Sequence, residues 1–142
     1  MTTWIVVAHK GGARFVDEHD EKLRIFETLD NPEARSSRGA ALADGGSAIP
    51  PPPDSHGQRA PAARESQKNH AANAFAAQLA DKLLKHRNAH HYDELVLIAA
   101  PRFLGVLRRA LDSATAATVR GTLNKDFARI SDHELLRRLA RM

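Results

Sequence analysis

Eight histidines are the first residues of this chain that could do chemistry, and three of them crowd one stretch as His86, His90 and His91. His86 and His90 are four apart, so on a helix their imidazoles would share one face, as a metal-ligating pair does. No third ligand lies near in the sequence, and no glutamate follows in metalloprotease spacing. Histidines at the negative pole of a fraying helix end explain the cluster more simply. No metal and no cofactor is expected. The arginines come second. Arg102, Arg108, Arg109, Arg137, Arg138 and Arg141 would form a phosphate-facing surface if their helices lay together. Taken one helix at a time they are ordinary solvated faces. No GxSxG elbow, phosphate-binding loop, Rossmann glycine pattern or cysteine nucleophile is present. The isolated pairs Gly11-Gly12 and Gly45-Gly46 read as turns. The residues give no support to an independent enzyme.

The elements that must position these residues belong to one domain spanning 1–142, long enough for a single sizeable core. A hydrophobic fraction of 42% is ordinary for a folded protein. No window approaches 18 uncharged apolar residues, so no membrane span is expected. Cysteine is absent, and Met1-Thr2-Thr3-Trp4 lacks the look of a secretory leader. A cytoplasmic location is the expectation. The net charge of +4 makes a polyanion partner, RNA above all, a natural candidate.

Trp4-Ile5-Val6-Val7-Ala8 is β-branched and apolar, as a central strand requires. Lys10-Gly11-Gly12 offers residues that tolerate positive φ, predicting a tight hairpin into Ala13–Asp17. Lys22–Glu27 alternates as a third, half-buried strand. From Asn31 to Arg64 this patterning disappears, and six of the seven prolines lie there, including Pro50–Pro53. Such composition predicts a flexible loop over 31–64, with the tetraproline as a short extended spacer. A long helix should follow from about Glu65 to His90, with Ala72, Phe75, Ala76, Leu79 and Leu83 on one stripe. Glu94–Ala99 is a continuous apolar run suited to a strand covered on both faces. Pro101 opens a helix, Thr118–Leu123 reads as the last strand, and Ser131 with Glu134 signals a capping box on the last helix.

The element order β-β-β-α-β-α-β-α implies an α/β fold with a mixed five-stranded sheet. Ribonuclease H-like folds and the middle domain of eukaryotic and archaeal class I release factors share that order. A ribonuclease H-type nuclease would need a carboxylate in the first strand to hold metal ions. Trp4–Ala8 and His9 supply none, which argues against that chemistry.

Trp4–Ala8 with Gly12-Ala13-Arg14-Phe15, the run Glu94–Leu104, and the late Lys125-Asp126 resemble the bacterial proteins named for being required for attachment to host cells. The resemblance covers essentially the whole chain. That family is similar in turn to the release-factor middle domain, where a Gly-Gly-Gln loop before the long helix promotes peptidyl-tRNA hydrolysis on the ribosome. His56-Gly57-Gln58-Arg59 stands at the equivalent place here, with His56 where the first glycine would be. A β-carbon at that position disfavours the backbone geometry glycine allows. The resemblance implies a protein that binds the ribosome, tRNA or other RNA, with Arg59, Arg64, Lys68, Arg102, Arg108 and Arg109 meeting phosphates. It makes Gly57 and Gln58 the catalytic candidates of an alternative reading, a peptidyl-tRNA hydrolysis factor. A further alternative is a protein-interaction adaptor that influences attachment through a protein partner. Nothing in the sequence fixes an oligomeric state.

Overall fold

Strands at both ends of the chain converge on one five-stranded sheet in the computed structural model, which describes residues 1–31 and 53–142, with side chains from His70 onward in the second stretch. In chain order the elements are β1 (Thr3–His9), β2 (Gly12–His19), β3 (Lys22–Asp30), α1 (Pro53–Asn88), β4 (Glu94–Ala99), α2 (Pro101–Ala110), α3 (Ser113–Ala117), β5 (Val119–Asn124) and α4 (Asp132–Ala140). The sheet order is β3-β2-β1-β4-β5. β1 pairs antiparallel with β2 and parallel with β4, β2 pairs antiparallel with β3, and β4 parallel with β5. The mixed α/β sheet expected from the strand and helix pattern is therefore present.

Period-two alternation sorts β1 between two cores. Trp4, Val6 and Ala8 face a cluster with Phe15, Phe75, Leu79, Leu83, Leu97, Phe103 and Leu107, formed under α1 and α2. Ile5 and Val7 face a smaller cluster with Val16, Ile98, Phe127, Leu135 and Leu139, under α4. Covered on both faces, β4 needs its unbroken apolar run.

Several local details differ from the sequence reading. α1 begins at Pro53 rather than near Glu65, so the backbone of Gly57, Gln58, Arg59 and Arg64 is helical. Proline fits the first helical turn, and the alanines and arginines between Arg59 and Arg64 are strong helix formers. The remainder of the expected loop, residues 32–52, lies outside the described residues. At about 1.5 Å per residue, the 36 residues of α1 run well past the 7 of β1. Among the described residues no glycine has positive φ. The β1–β2 turn needs Gly12 because a Cβ there would stand 2.5 Å from the Leu29 carbonyl oxygen on β3. Positive φ occurs instead at Asp20 and Glu21, both left-handed in the tight β2–β3 turn. α3 is an added single turn, capped by Asp112, whose carboxylate accepts from the Thr115 amide. The expected capping box on α4 is half formed. Ser131 Oγ accepts from Glu134 N–H at 3.1 Å, while the Glu134 carboxylate turns to Arg137 and Arg138.

Candidate functional site

α2 is the element with the simplest charge pattern. Phe103, Leu104 and Leu107 are buried against the sheet, and Arg102, Arg108 and Arg109 project from its solvent side. Its sequence holds no carboxylate. Among the described residues none of these three arginines has an ion-pair partner. Several other arginines are engaged, Arg24 with Asp17, Arg87 with Asp112, Arg120 with Glu94, Arg137 and Arg138 with Glu134, whereas Arg129 and Arg141 on the α4 side have no ion pair among the described residues. The carbonyl end of the helix dipole favours Arg108 and Arg109 but neutralises neither.

These two arginines line a groove of about 510 Å³ with Gly105, Leu111, Ala116 and Val119. Among the described residues no acidic side chain lines it. Asp112, on the adjoining turn, is occupied by Thr115 and by Arg87 at 3.8 Å. The Thr115 hydrogen bond, ahead of the other influences, holds the Asp112 carboxyl below its ordinary range. It stays anionic and committed to the turn. The groove can therefore accept an anion between two guanidinium groups, with an apolar floor beneath.

A second groove, about 690 Å³, opens at the N-terminal end of β1 and includes Trp4, Phe26, Glu27, His86 and His91 in its wall. Trp4 lies 4.8 Å from the Phe26 ring, 5.0 Å from His86 and 5.0 Å from Tyr92, centroid to centroid. Lys82 pairs with Glu27 beside them. The Tyr92 hydroxyl donates to the Leu83 carbonyl at 2.7 Å, and burial pushes its pKa up to about 12.

The opposite end of the sheet is tied by Arg14. Although on β2, its guanidinium donates to the carbonyls of Phe127 and Ile130, and pairs with Asp132 at 3.1 Å. It fixes the segment leading into α4. His9 stands nearby, its Nδ1 accepting from the Gly11 amide at 3.0 Å, and burial lowers its pKa.

Of the residues expected to meet phosphate, Arg108 and Arg109 are brought together in one groove, whereas Arg102 lies at the other end of α2. Arg59, Arg64 and Lys68 lie within α1, as do Gly57 and Gln58, and all of these side chains are outside the described ones. The sequence reading missed the roles of Arg14, Trp4 and Tyr92. An arginine alternating into an apolar strand was the available signal for the first. Among the described residues no group of three or more histidine, aspartate or glutamate side chains could hold a metal ion. No described helix is long and apolar enough to cross a membrane.

A family model described as protein required for attachment to host cells matches residues 4–139. No curated protein matches the chain.

Proposed function

The chain belongs to the family of proteins required for attachment to host cells, and we propose that this domain is a cytoplasmic RNA-binding protein, with the ribosome or tRNA as partner and no catalysis of its own. One observation carries the reading. α2 buries an apolar face and exposes Arg102, Arg108 and Arg109 with no carboxylate to neutralise them among the described residues. Uncompensated guanidinium groups repel one another and gain most from a polyanion whose counterions they release. The net charge of +4 has the sign this requires. The resemblance to release-factor middle domains read from the sequence is what favours the ribosome among RNA partners. A helical backbone at Gly57 and Gln58 favours the non-catalytic reading over the hydrolytic alternative, which needs a presenting loop.

Cosedimentation with ribosomes across a salt series tests the proposal. Binding should weaken steeply with salt. Replacing Arg102, Arg108 and Arg109 with glutamine should flatten the dependence by roughly 0.7 for each phosphate that is no longer neutralised. Absence of binding even at low salt would remove the reading. Recovery of a defined protein partner that survives nuclease treatment would favour the adaptor instead. Peptide release from ribosomes carrying peptidyl-tRNA, abolished by Gln58→Ala, would restore catalysis.

A further inference from the structure

The way α1 ends brings two histidines together. His90 has φ 60°, its N–H donates to the Arg87 carbonyl, and the next N–H, of His91, donates to the His86 carbonyl, both at 3.0 Å. This is the paired closure of a Schellman motif, which brings the third residue from the helix end against the second residue beyond it. Those residues are His86 and His91. Their Nδ1 atoms stand 2.7 Å apart and their ring centroids 4.9 Å apart. Two imidazole nitrogens at that distance must share something between them. In the free protein it is a proton, one ring donating to the other.

We propose that His86 and His91 form a two-histidine site for a late first-row divalent transition metal, copper(II) foremost, with water completing the coordination. Nitrogens at about 2.0–2.1 Å from one metal ion are about 2.9 Å apart at a right angle and about 3.3 Å apart at the tetrahedral angle. The observed pair has to open by a few tenths of an ångström and turn both ring nitrogens toward a common point, a movement the exposed His91 ring can largely make. The backbone bonds of the motif hold both residues in place, so little ordering remains to be done on binding. Imidazole donors without thiolates suit copper, nickel and zinc, and affinity across that series peaks at copper. Burial first, then Lys82 and His91, lower the pKa of His86. Its lone pair is accordingly available at neutral pH. The absence of a third protein ligand among the described residues makes the site open and exchangeable. It is distinct from the arginine groove and does not rest on RNA binding.

Trp4 is the only tryptophan of the chain and its ring centroid is 5.0 Å from that of His86, so it reports directly on an ion held there. Titrating the full chain with copper(II) should quench its fluorescence saturably at one ion per chain. Zinc should bind more weakly and compete with the copper only in large excess, and magnesium should do nothing. His91→Ala should weaken copper binding by at least the roughly tenfold that loss of a mere outer-shell partner costs, while His90→Gly, which keeps the motif, should retain it. Electron paramagnetic resonance of the copper-loaded native chain should show imidazole nitrogen ligation. Non-saturating quenching, quenching unchanged in His91→Ala, or a copper spectrum without nitrogen ligands would each overturn the proposal. Because the chain has eight histidines, nitrogen ligation is assigned to this pair only if it changes in His91→Ala or in His86→Gln, while its absence from the native chain overturns the proposal without any variant.

Discussion

On the face of the sheet that carries α1 and α2, rings and aliphatic side chains interlock: Phe75 with Phe103 at 6.2 Å, Trp4 with Phe15, Phe26 and Tyr92. On the face that carries α4, fewer of the described apolar residues are buried, and the segment before the helix hangs on the guanidinium of Arg14. The first face is positioned by volume, the second by direction. Burial is non-directional and tolerates charge at its rim, so the first face can expose both the α2 arginines and the histidine pair. A buried hydrogen-bonding arginine demands fixed partners, and around it the chain has less freedom to vary.

Substitutions should separate the two modes. Phe75→Ala, at a ring only 1% exposed, leaves a cavity beneath α1 and should cost about 3–5 kcal/mol. That is a large share of a typical domain's stability of roughly 5–15 kcal/mol. Arg14→Leu keeps the bulk but strips the donors from the Phe127 and Ile130 carbonyls. It should cost about 2–3 kcal/mol, with hydrogen exchange quickening first in residues 125–132. Uniform loss of protection across the sheet would mean that Arg14 supports the whole fold rather than one tether. Denaturant melts with exchange mapping read both variants.

Two smaller changes act at the end of α1. Tyr92→Phe removes the donor to the Leu83 carbonyl and should lower stability by about 1 kcal/mol. His90→Gly should raise it by about 1 kcal/mol, since only the side chain strains the left-handed conformation at φ 60°. A thermal midpoint moving down in His90→Gly would show that the His90 ring makes a compensating contact.

The contrast between the faces also separates what the sequence discloses from what it hides. Glu94–Ala99 could be read to its exact ends because a doubly covered strand has to be apolar throughout. The α2 helix was legible from Pro101 and from the spacing of Phe103, Leu104 and Leu107. The start of α1 was not, because its prolines and Gly57 outweighed the neighbouring alanines in a local reading. The ending of α1 was hidden for another reason. A Schellman motif normally announces itself with glycine, and here His90 stands in that position. Which arginines find a carboxylate is equally invisible, since Arg120 meets Glu94, and Arg87 meets Asp112, only after the chain has folded. Arg14 belongs with them, as its partners lie more than a hundred residues away.

The smallest effect concerns protons, and each face holds a histidine that should sense them. His9 lies on the α4 face, its pKa lowered chiefly by burial, opposed by Asp126, aided by Arg14 and opposed again by Asp30. His86, on the α1 face, is lowered for the reasons given above. A histidine whose pKa is lower in the folded chain binds fewer protons folded than unfolded. Its contribution is therefore complete above the unfolded value of about 6.5 and is lost as the pH falls through the lowered native value. Both groups should make the protein less stable in mild acid, before the carboxylates titrate. The more enclosed ring, His9, should dominate. His9→Asn keeps an acceptor within reach of the Gly11 amide while removing the titration. Unfolding curves at successive pH values should show a shallower acid decline in this variant than in the native chain. An unchanged decline in His9→Asn, together with a shallower one in His86→Gln, would move the acid-sensitive contact from the α4 face to the α1 face.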